Sequence, residues 1–132
     1  MIKICHVKTQ KNSVVDITAD VLEVVKESGV QNGIVTVMAD GVSFGIALLE
    51  ANNAAIAADL EEELKRLVPS RITFRYELSP DSAAGRIKSC LFGASATAIV
   101  QNGALACDQL GFFVLEHSGA SDRGFYVSVI GE

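Results

Sequence analysis

The chain has 132 residues, of which 49% are hydrophobic and 20% are charged, a composition typical of a globular protein. A chain of this size can bury one core, so we expect residues 1–132 to form a single domain. The formal net charge of −5 argues against nonspecific nucleic-acid binding, which requires basic side chains at the phosphates. No apolar run reaches the roughly 18 residues of a membrane helix, so no membrane partner is expected.

Cysteine usage and the first residues predict a cytoplasmic protein. Cys5, Cys90 and Cys107 are widely spaced, and none is paired in a CxxC motif. The first residues alternate in polarity and lack a signal-peptide pattern, so we expect reduced thiols in the cytoplasm. Cys90 and Cys107 lie in apolar stretches and are expected to be buried, since free cysteine packs as a small hydrophobe.

The first third of the chain predicts a strand, a helix and two further strands. Residues 2–8, 34–39 and 43–49 are rich in β-branched and aliphatic side chains. Between the first two of these strands, Thr18 is the expected N-cap of a helix that ends near Gly29.

The clearest predicted helix spans about residues 53–67, before Pro69 blocks continuation. Its apolar positions recur at helical spacing and share one face: Ile56, Leu60, Leu64 and Leu67. On the solvent side we expect two pairs at i,i+4: Glu61 with Lys65, and Glu62 with Arg66.

The segment that follows predicts a strand and a short helix. Ile72, Phe74 and Tyr76 alternate with polar residues, as in a half-buried strand. After Pro80, Ser82 is the expected cap of a helix that runs to about Phe92, with Gly93 as its left-handed stop.

The last third of the chain predicts hairpins. Strands are expected at 94–100, 110–117 and 124–130, and Asn102-Gly103 favours a type I′ turn. In the final strand, one face carries Phe125, Val127 and Val129, and the other carries Tyr126, Ser128 and Ile130.

These elements do not alternate strictly between strand and helix, so we predict an α+β fold. It would have mainly antiparallel or mixed β-sheets, about six to eight strands and about three helices. The strand at 110–117 carries apolar residues on both faces, including the neighbours Phe112 and Phe113. A small monomer has difficulty covering both faces, which predicts a homo-oligomer that buries one of them.

Catalytic and metal-binding motifs are absent from the sequence. The two histidines, His6 and His117, fall in separate predicted strands without ligand spacing. The most suggestive stretch is 82–89, where a helix start carries Arg86 and Lys88 and can attract an anion. The alternative is a capped surface helix whose basic side chains are simply solvated.

The order of motifs resembles the YjbQ-like family, also called the secondary thiamine-phosphate synthase family, from about Asp16 to Glu132. The resemblance rests on residues 28–33, 45–50, 59–60, 67–69, 87–89, 91, 93, 101–103, 109, 123 and 131–132. It implies a compact α+β fold, orthogonally packed sheets and a homotrimer. It also implies sites at subunit boundaries that are lined by histidines and hold a metal or an anion. Members are linked to a weak activity that joins a hydroxymethylpyrimidine diphosphate to a thiazole phosphate.

The chain departs from this family pattern at the expected ligand positions. Gly41, Leu78 and Arg86 stand where the family has histidine, Ser82 where it has asparagine, and Asp108 where it has an aromatic residue. Gly41 and Leu78 can neither coordinate a divalent metal nor carry a proton as imidazole does. Arg86 would repel a metal but can hold phosphate bidentately.

We therefore expect a divergent member with no metal and no cofactor, to which Mg²⁺ would come only with a phosphorylated substrate. Six side chains are expected to bind a small anionic or phosphorylated molecule: Ser82, Arg86, Lys88, Ser89, Gln109 and Arg123.

Three functional hypotheses follow. The first is a homotrimer that binds such a ligand, with catalysis reduced or lost. The second is an enzyme with weak thiamine-phosphate synthase-type activity, since phosphoryl chemistry depends largely on positioning and charge. The third is a non-catalytic structural or regulatory subunit, assembled with a relative that retains the histidines.

Overall fold

The computed structural model describes residues 1–70 and 80–132, with only the backbone described for residues 80–82. The strand predicted around Ile72, Phe74 and Tyr76 lies outside the described residues, as does Leu78. In chain order the elements of the described part are β1 (Ile2–Lys8), β2 (Val14–Asp16), α1 (Thr18–Ser28), β3 (Gly33–Ala39), β4 (Phe44–Glu50), α2 (Ala54–Leu67), α3 (Pro80–Phe92), β5 (Ser95–Gln101), β6 (Ala104–Leu105), β7 (Leu110–Glu116) and β8 (Asp122–Gly131).

The strands form two sheets in which every described pair is antiparallel. Sheet A has five strands in the order β1-β8-β3-β5-β6, and sheet B has three in the order β2-β7-β4. The predicted α+β class, with antiparallel sheets and three helices, is confirmed.

The core lies between one face of each sheet and helix α1. Sheet A contributes Val35 and Val37 from β3, and sheet B contributes Phe44 and Phe112. Helix α1 closes this core with a buried stripe of valines: Val21, Val24 and Val25. The alternation predicted for β8 is confirmed, because Phe125, Val127 and Val129 are buried in the same cluster.

Helix α1 ends as predicted but begins differently. Gly29 has a φ of 72° and provides the left-handed stop. Thr18 does not cap the helix, because its Oγ1 accepts a hydrogen bond from the backbone N–H of Phe112 at 3.0 Å. The hydroxyl is therefore used to join α1 to β7.

Helix α2 is capped by Asn53, whose Oδ1 accepts from the N–H of Ile56 at 3.2 Å. The predicted apolar face is only partly buried. Leu64 is the buried side chain of this helix, whereas Ile56 and Leu67 are exposed.

The predicted i,i+4 ion pairs of α2 are wrong. Lys65 and Arg66 pair at i,i+3 instead, with Glu62 and Glu63 respectively. Glu61 accepts a hydrogen bond from the backbone N–H of Val14 at 3.0 Å and so ties α2 to β2.

Helix α3 begins at Pro80, so Ser82 lies within its first turn and is not the predicted cap. Proline is well suited to a first helical position because its missing N–H is not needed there. Gly93 has a φ of 99° and its N–H donates to the carbonyl of Ser89, as expected of the stop.

The hairpin prediction is confirmed and the cysteine prediction is wrong. Asn102 and Gly103 have φ values of 55° and 76°, as a type I′ turn between β5 and β6 requires. Cys90 on α3 and Cys107 between β6 and β7 are both exposed to solvent.

The exposed apolar sheet surface differs from the one the sequence suggested. Both faces of β7 are covered within one chain, since its residues from Gly111 to Glu116 are all buried. It is sheet A that leaves an apolar face uncovered. This outer face of sheet A carries exposed side chains from four strands: Ile2, Ile4, Ile34, Met38, Ile99 and Ile130.

Candidate functional site

Polar side chains gather where β4 begins and β7 ends. Phe44 and Glu116 are paired in the register of these two antiparallel strands, so the ends of both strands meet there. Arg123, near the start of β8, reaches the same place. We call this region the Arg123 end of the molecule.

Glu116 is the centre of a buried hydrogen-bond network. Its Oε1 accepts from Arg123 Nε at 2.7 Å and from Thr9 Oγ1 at 2.6 Å. Its Oε2 accepts from Arg123 Nη2 at 2.9 Å and from the N–H of Ser118 at 3.1 Å. Burial alone would raise the pKa of this carboxyl, but the bonds from Arg123 and Thr9 outweigh it and lower the pKa.

Arg123 is held on several sides. Besides the bidentate pair with Glu116, its Nη2 donates to Ser43 Oγ at 3.2 Å. The guanidinium carbon lies 4.8 Å from the centre of the Phe44 ring, within cation–π range. Arg123 therefore fixes the geometry of this end of the fold, and its charge is balanced within the chain.

His117 follows Glu116 and is only 2% exposed. Burial, and secondarily the positive charge of Lys88, lower the pKa of His117 to about 4, so the imidazole is neutral at pH 7. Within the described residues its Nε2 has no hydrogen-bond partner. A Cβ added at Gly45 would lie 3.3 Å from that nitrogen and 2.4 Å from the carbonyl oxygen of Gly93, so only glycine fits beside it.

A small cavity of about 10 Å³ lies beside this cluster, lined in part by Lys88, Glu116, His117 and Glu61. That volume is about enough for one water molecule. Lys88 is only 4% exposed, so its ammonium group is almost removed from bulk water.

The six side chains expected to bind a ligand do not converge within one chain. Lys88 lies at the Arg123 end, because it lines the same small cavity as Glu116 and His117. Ser89 is buried, and its Oγ donates to the carbonyl of Phe44 at 3.1 Å, which joins α3 to β4. Arg86 is half-buried on α3, and the side chain of Ser82 lies outside the described residues.

Gln109 lies at the opposite end of sheet B. It directly precedes β7, and its carbonyl accepts from the N–H of Ala51, just after β4. Glu116 ends the same strand, so the two positions are about 20 Å apart along it.

Sequence reasoning missed the most interconnected residue of the site, Glu116. One signal was available: a carboxylate that ends an otherwise apolar strand is rarely buried without a partner. Nothing in the sequence, however, indicates that Thr9 and Arg123 are the partners.

No group of three or more His, Cys, Asp or Glu side chains suited to a metal ion occurs within residues 1–70 and 80–132. None of the helices in that part of the chain combines the length and the apolar character needed to cross a bilayer.

The fold and this cluster define a class: an α+β protein of two antiparallel sheets with a buried Glu–Arg–His cluster where β4 and β7 meet. A model of the UPF0047 YjbQ-like family matches residues 3–132. The chain therefore belongs to the YjbQ-like family, and the resemblance noted in the sequence is confirmed at the level of the family.

Sequence relatives agree with this membership. The UPF0047 protein MJ1081 of Methanocaldococcus jannaschii is 34% identical over 129 residues, which cover 96% of this chain and 92% of that protein. The UPF0047 protein YugU of Bacillus subtilis is 26% identical over 133 residues, which cover 99% of this chain and 100% of that protein.

Solved structures share the fold. An uncharacterized conserved protein of the YjbQ/UPF0047 family from Clostridium acetobutylicum has a TM-score of 0.87 at 28% identity, covering 97% of this chain and 99% of that one. A YjbQ-like protein of unknown function from Sulfolobus solfataricus has a TM-score of 0.90 at 22% identity, covering 100% of this chain and 97% of that one. The latter likeness concerns the fold alone.

Proposed function

We propose that this protein is a divergent YjbQ-like homotrimer that binds a small anionic or phosphorylated ligand at helix α3, with catalysis reduced or lost. The observation that carries the proposal is the positive charge on α3. Lys88 is almost buried, and its charge lowers the pKa of His117. An anion beside this helix would be attracted by the charges of Arg86 and Lys88.

Arg86 is the residue of α3 that would touch the ligand. Its side chain is half-buried, so part of it is open to solvent, whereas Lys88 is enclosed. A guanidinium binds phosphate through two parallel hydrogen bonds. Ser82 precedes Arg86 by about one turn, so both positions share a stripe of α3, with Ser82 in the first turn and Arg86 at the middle of the helix.

The positions of His6 and His117 support the proposal that catalysis is reduced. His117 is enclosed, so its imidazole is out of reach of a ligand at the surface. His6 is open to solvent on β1, with Nδ1 3.8 Å from Asp122 Oδ1. General acid–base catalysis needs a titrating group within hydrogen-bond reach of the reacting atoms.

The outer face of sheet A is the surface we propose for trimer contacts. One row of the register on this face is wholly aliphatic: Ile34 lies between Ile130 and Ile99. In the next row Thr36 and Thr97 share a hydrogen bond of 3.0 Å between their hydroxyl oxygens. A broad apolar sheet face on a small protein is typical of a subunit interface.

The test uses inorganic pyrophosphate as the probe, titrated into the protein by isothermal calorimetry. We expect binding by the unaltered protein and at least a tenfold loss for Arg86→Ala, since charge-assisted hydrogen bonds contribute about 1.5–3 kcal/mol. Arg66→Ala removes the same charge from α2 and should leave binding unchanged. If the unaltered protein does not bind, or Arg86→Ala binds equally well, the proposed site is wrong.

The enzyme alternative has its own assay. The protein is incubated with Mg²⁺, a hydroxymethylpyrimidine diphosphate and a thiazole phosphate, and thiamine phosphate is measured. We expect none above the background without protein. Product that disappears in Arg86→Ala would establish catalysis at this helix and replace the binding-only proposal.

A further inference from the structure

A second concave surface lies at the end of the molecule opposite to Arg123. Here β2, the start of α1, the turn after β4 and the segment 104–110 surround a hollow of about 660 Å³. We call it the acid-rimmed trough. Pockets for small molecules usually measure about 300–1,000 Å³, so the trough has the size of a ligand site.

The floor of the trough is apolar. Leu22, Leu105 and Leu110 line it and are each only half-buried, and Ala19 and Ala51 complete its wall. Partly exposed leucines that face one concavity can bury the apolar body of a ligand.

The rim of the trough is acidic. Asp16 and Asp108 line it directly. Two adjoining hollows, which share lining residues with it, add Glu61 next to Asp16 and Glu50 next to Asp108. No lysine or arginine of the described chain lines any of these three hollows, whereas a fourth hollow, which shares Leu22 and Ala104 with the trough, is lined by Lys26.

The hydrogen bonds to the rim orient its carboxylates and leave their charge in place. Asp16 Oδ1 accepts from the N–H of Thr18 at 2.8 Å, and Glu50 Oε2 accepts from Asn53 Nδ2 at 3.1 Å. Glu61 Oε1 accepts from the N–H of Val14 at 3.0 Å. All three donors are neutral, so these bonds do not cancel the charge of the carboxylates, and Asp16 and Asp108 place negative charge at the edge of the apolar floor.

From this charge complementarity we propose that the acid-rimmed trough binds a small organic cation: an ammonium group on an apolar body. The body would lie on the leucines of the floor, and the ammonium group would lie between Asp16 and Asp108. This site differs from the anion site proposed at α3 in the sign of its charge and in its place in the fold, although Gln109, one of the six side chains expected to bind an anion, lies beside it.

The probe is 2-phenylethylammonium, titrated into the protein and followed by ¹H–¹⁵N NMR. Two molecules of similar size serve as ligand controls: the neutral 2-phenylethanol and the anionic phenylacetate. We expect the ammonium compound to shift the amide resonances of Leu22 and Leu105 and to bind more tightly than the alcohol. Phenylacetate should bind most weakly.

Asp108→Asn should weaken binding of the ammonium compound by about threefold, the effect of one exposed charge pair, and leave the alcohol unaffected. Asp16→Asn should act in the same direction, because the amide oxygen can still accept from Thr18. The matched control is Asp59→Asn, which removes an exposed carboxylate from α2 outside the trough and should change nothing.

Three outcomes would overturn the proposal. The first is equal binding of the three compounds, and the second is the absence of shifts at Leu22 and Leu105. The third is occupation by a second copy of the chain, seen as shifts at the trough that depend on protein concentration and as a lower sedimentation mass for Asp108→Asn. Because the pyrophosphate test concerns Arg86, either site can fail without the other.

Discussion

Arg123 and Glu116 form a two-pronged ion pair in which both contacts are shorter than 3 Å, at 2.7 and 2.9 Å. The Glu116 side chain is 0% exposed and that of Arg123 is 17% exposed. The pair joins the end of β7 to the start of β8 across the turn between them. It is better enclosed than the pairs of Lys3 with Glu27, Lys65 with Glu62 and Arg66 with Glu63.

Arg123→Ala should lower the free energy of unfolding by about 3 kcal/mol, because it leaves a buried carboxylate without its countercharge. Urea denaturation at pH 7 measures this as a lower midpoint with an unchanged slope. The control Lys3→Ala breaks the exposed Lys3–Glu27 pair and should not move the midpoint measurably. Equal changes in the midpoint for the two substitutions would show that burial does not increase the contribution of the Arg123–Glu116 pair to stability.

His117 should make the fold less stable as the pH falls from 7 to 5. Its pKa is about 4 in the folded chain against about 6.5 when unfolded, so over this range only the unfolded state takes up the proton. The contribution of His117 to the free energy of unfolding is fully present above about pH 6.5, and about 2 kcal/mol of it should be lost by pH 5. The pKa of Glu116 is also lowered in the folded chain. The stability that this carboxylate contributes is therefore lost at more acid pH, below the pKa of about 4.3 that glutamate has in the unfolded chain.

Urea denaturation at several pH values separates this effect from others. His117→Phe keeps a ring and removes the titrating nitrogens, so its stability should be flat between pH 7 and 5. His6→Gln removes the exposed histidine and should retain the decline of the unaltered protein. A decline that persists in His117→Phe would assign it to another group.

Ile34→Asp should break the trimer that we propose. Ile34 is 37% exposed at the middle of the outer face of sheet A, where a charge cannot be accommodated in an apolar contact. Sedimentation velocity at micromolar concentration should show a monomer. Ile56→Asp is the matched control, since Ile56 is 41% exposed on α2, and this variant should remain a trimer. A monomeric unaltered protein would contradict the proposal directly.

The untagged protein should hold less than about 0.1 equivalent of tightly bound metal per chain after incubation with Zn²⁺ or Mn²⁺ and desalting. The sequence has two histidines, and the structure places one exposed on β1 and the other enclosed behind β4. Stable sites for these ions usually combine several imidazole, thiolate or carboxylate ligands. Elemental analysis that finds about one metal per chain would revive metal-assisted catalysis.

Local features of the fold were predictable because each depends on a few neighbouring residues. Gly29 and the Asn102-Gly103 turn were identified from their conformational preferences, and the two faces of β8 from simple alternation. The exposure of Ile56 was not predictable, because periodicity identifies a face but not whether another element covers it.

The candidate site was less predictable, because it depends on contacts between elements. Thr18 was expected to cap α1, but the close position of Phe112 gives its hydroxyl a different partner. Arg123 was expected to bind a ligand, which remains a prediction, and its pairing with Glu116 was not predicted. The acid-rimmed trough draws on four separate segments, so no stretch of sequence signals it.

The position of β8 has a consequence for biosynthesis. This last strand of the described chain lies inside sheet A, with β1 on one side and β3 on the other. Ile2 pairs with Ser128, so β1, which is synthesised first, cannot form its pairing with β8 until β8 has been synthesised. Such contacts between sequence-distant segments slow folding, and on the ribosome sheet A can be completed only after translation of β8. Until then β1 and β3 each have an unpaired edge where β8 will lie, which makes the incomplete chain prone to aggregation.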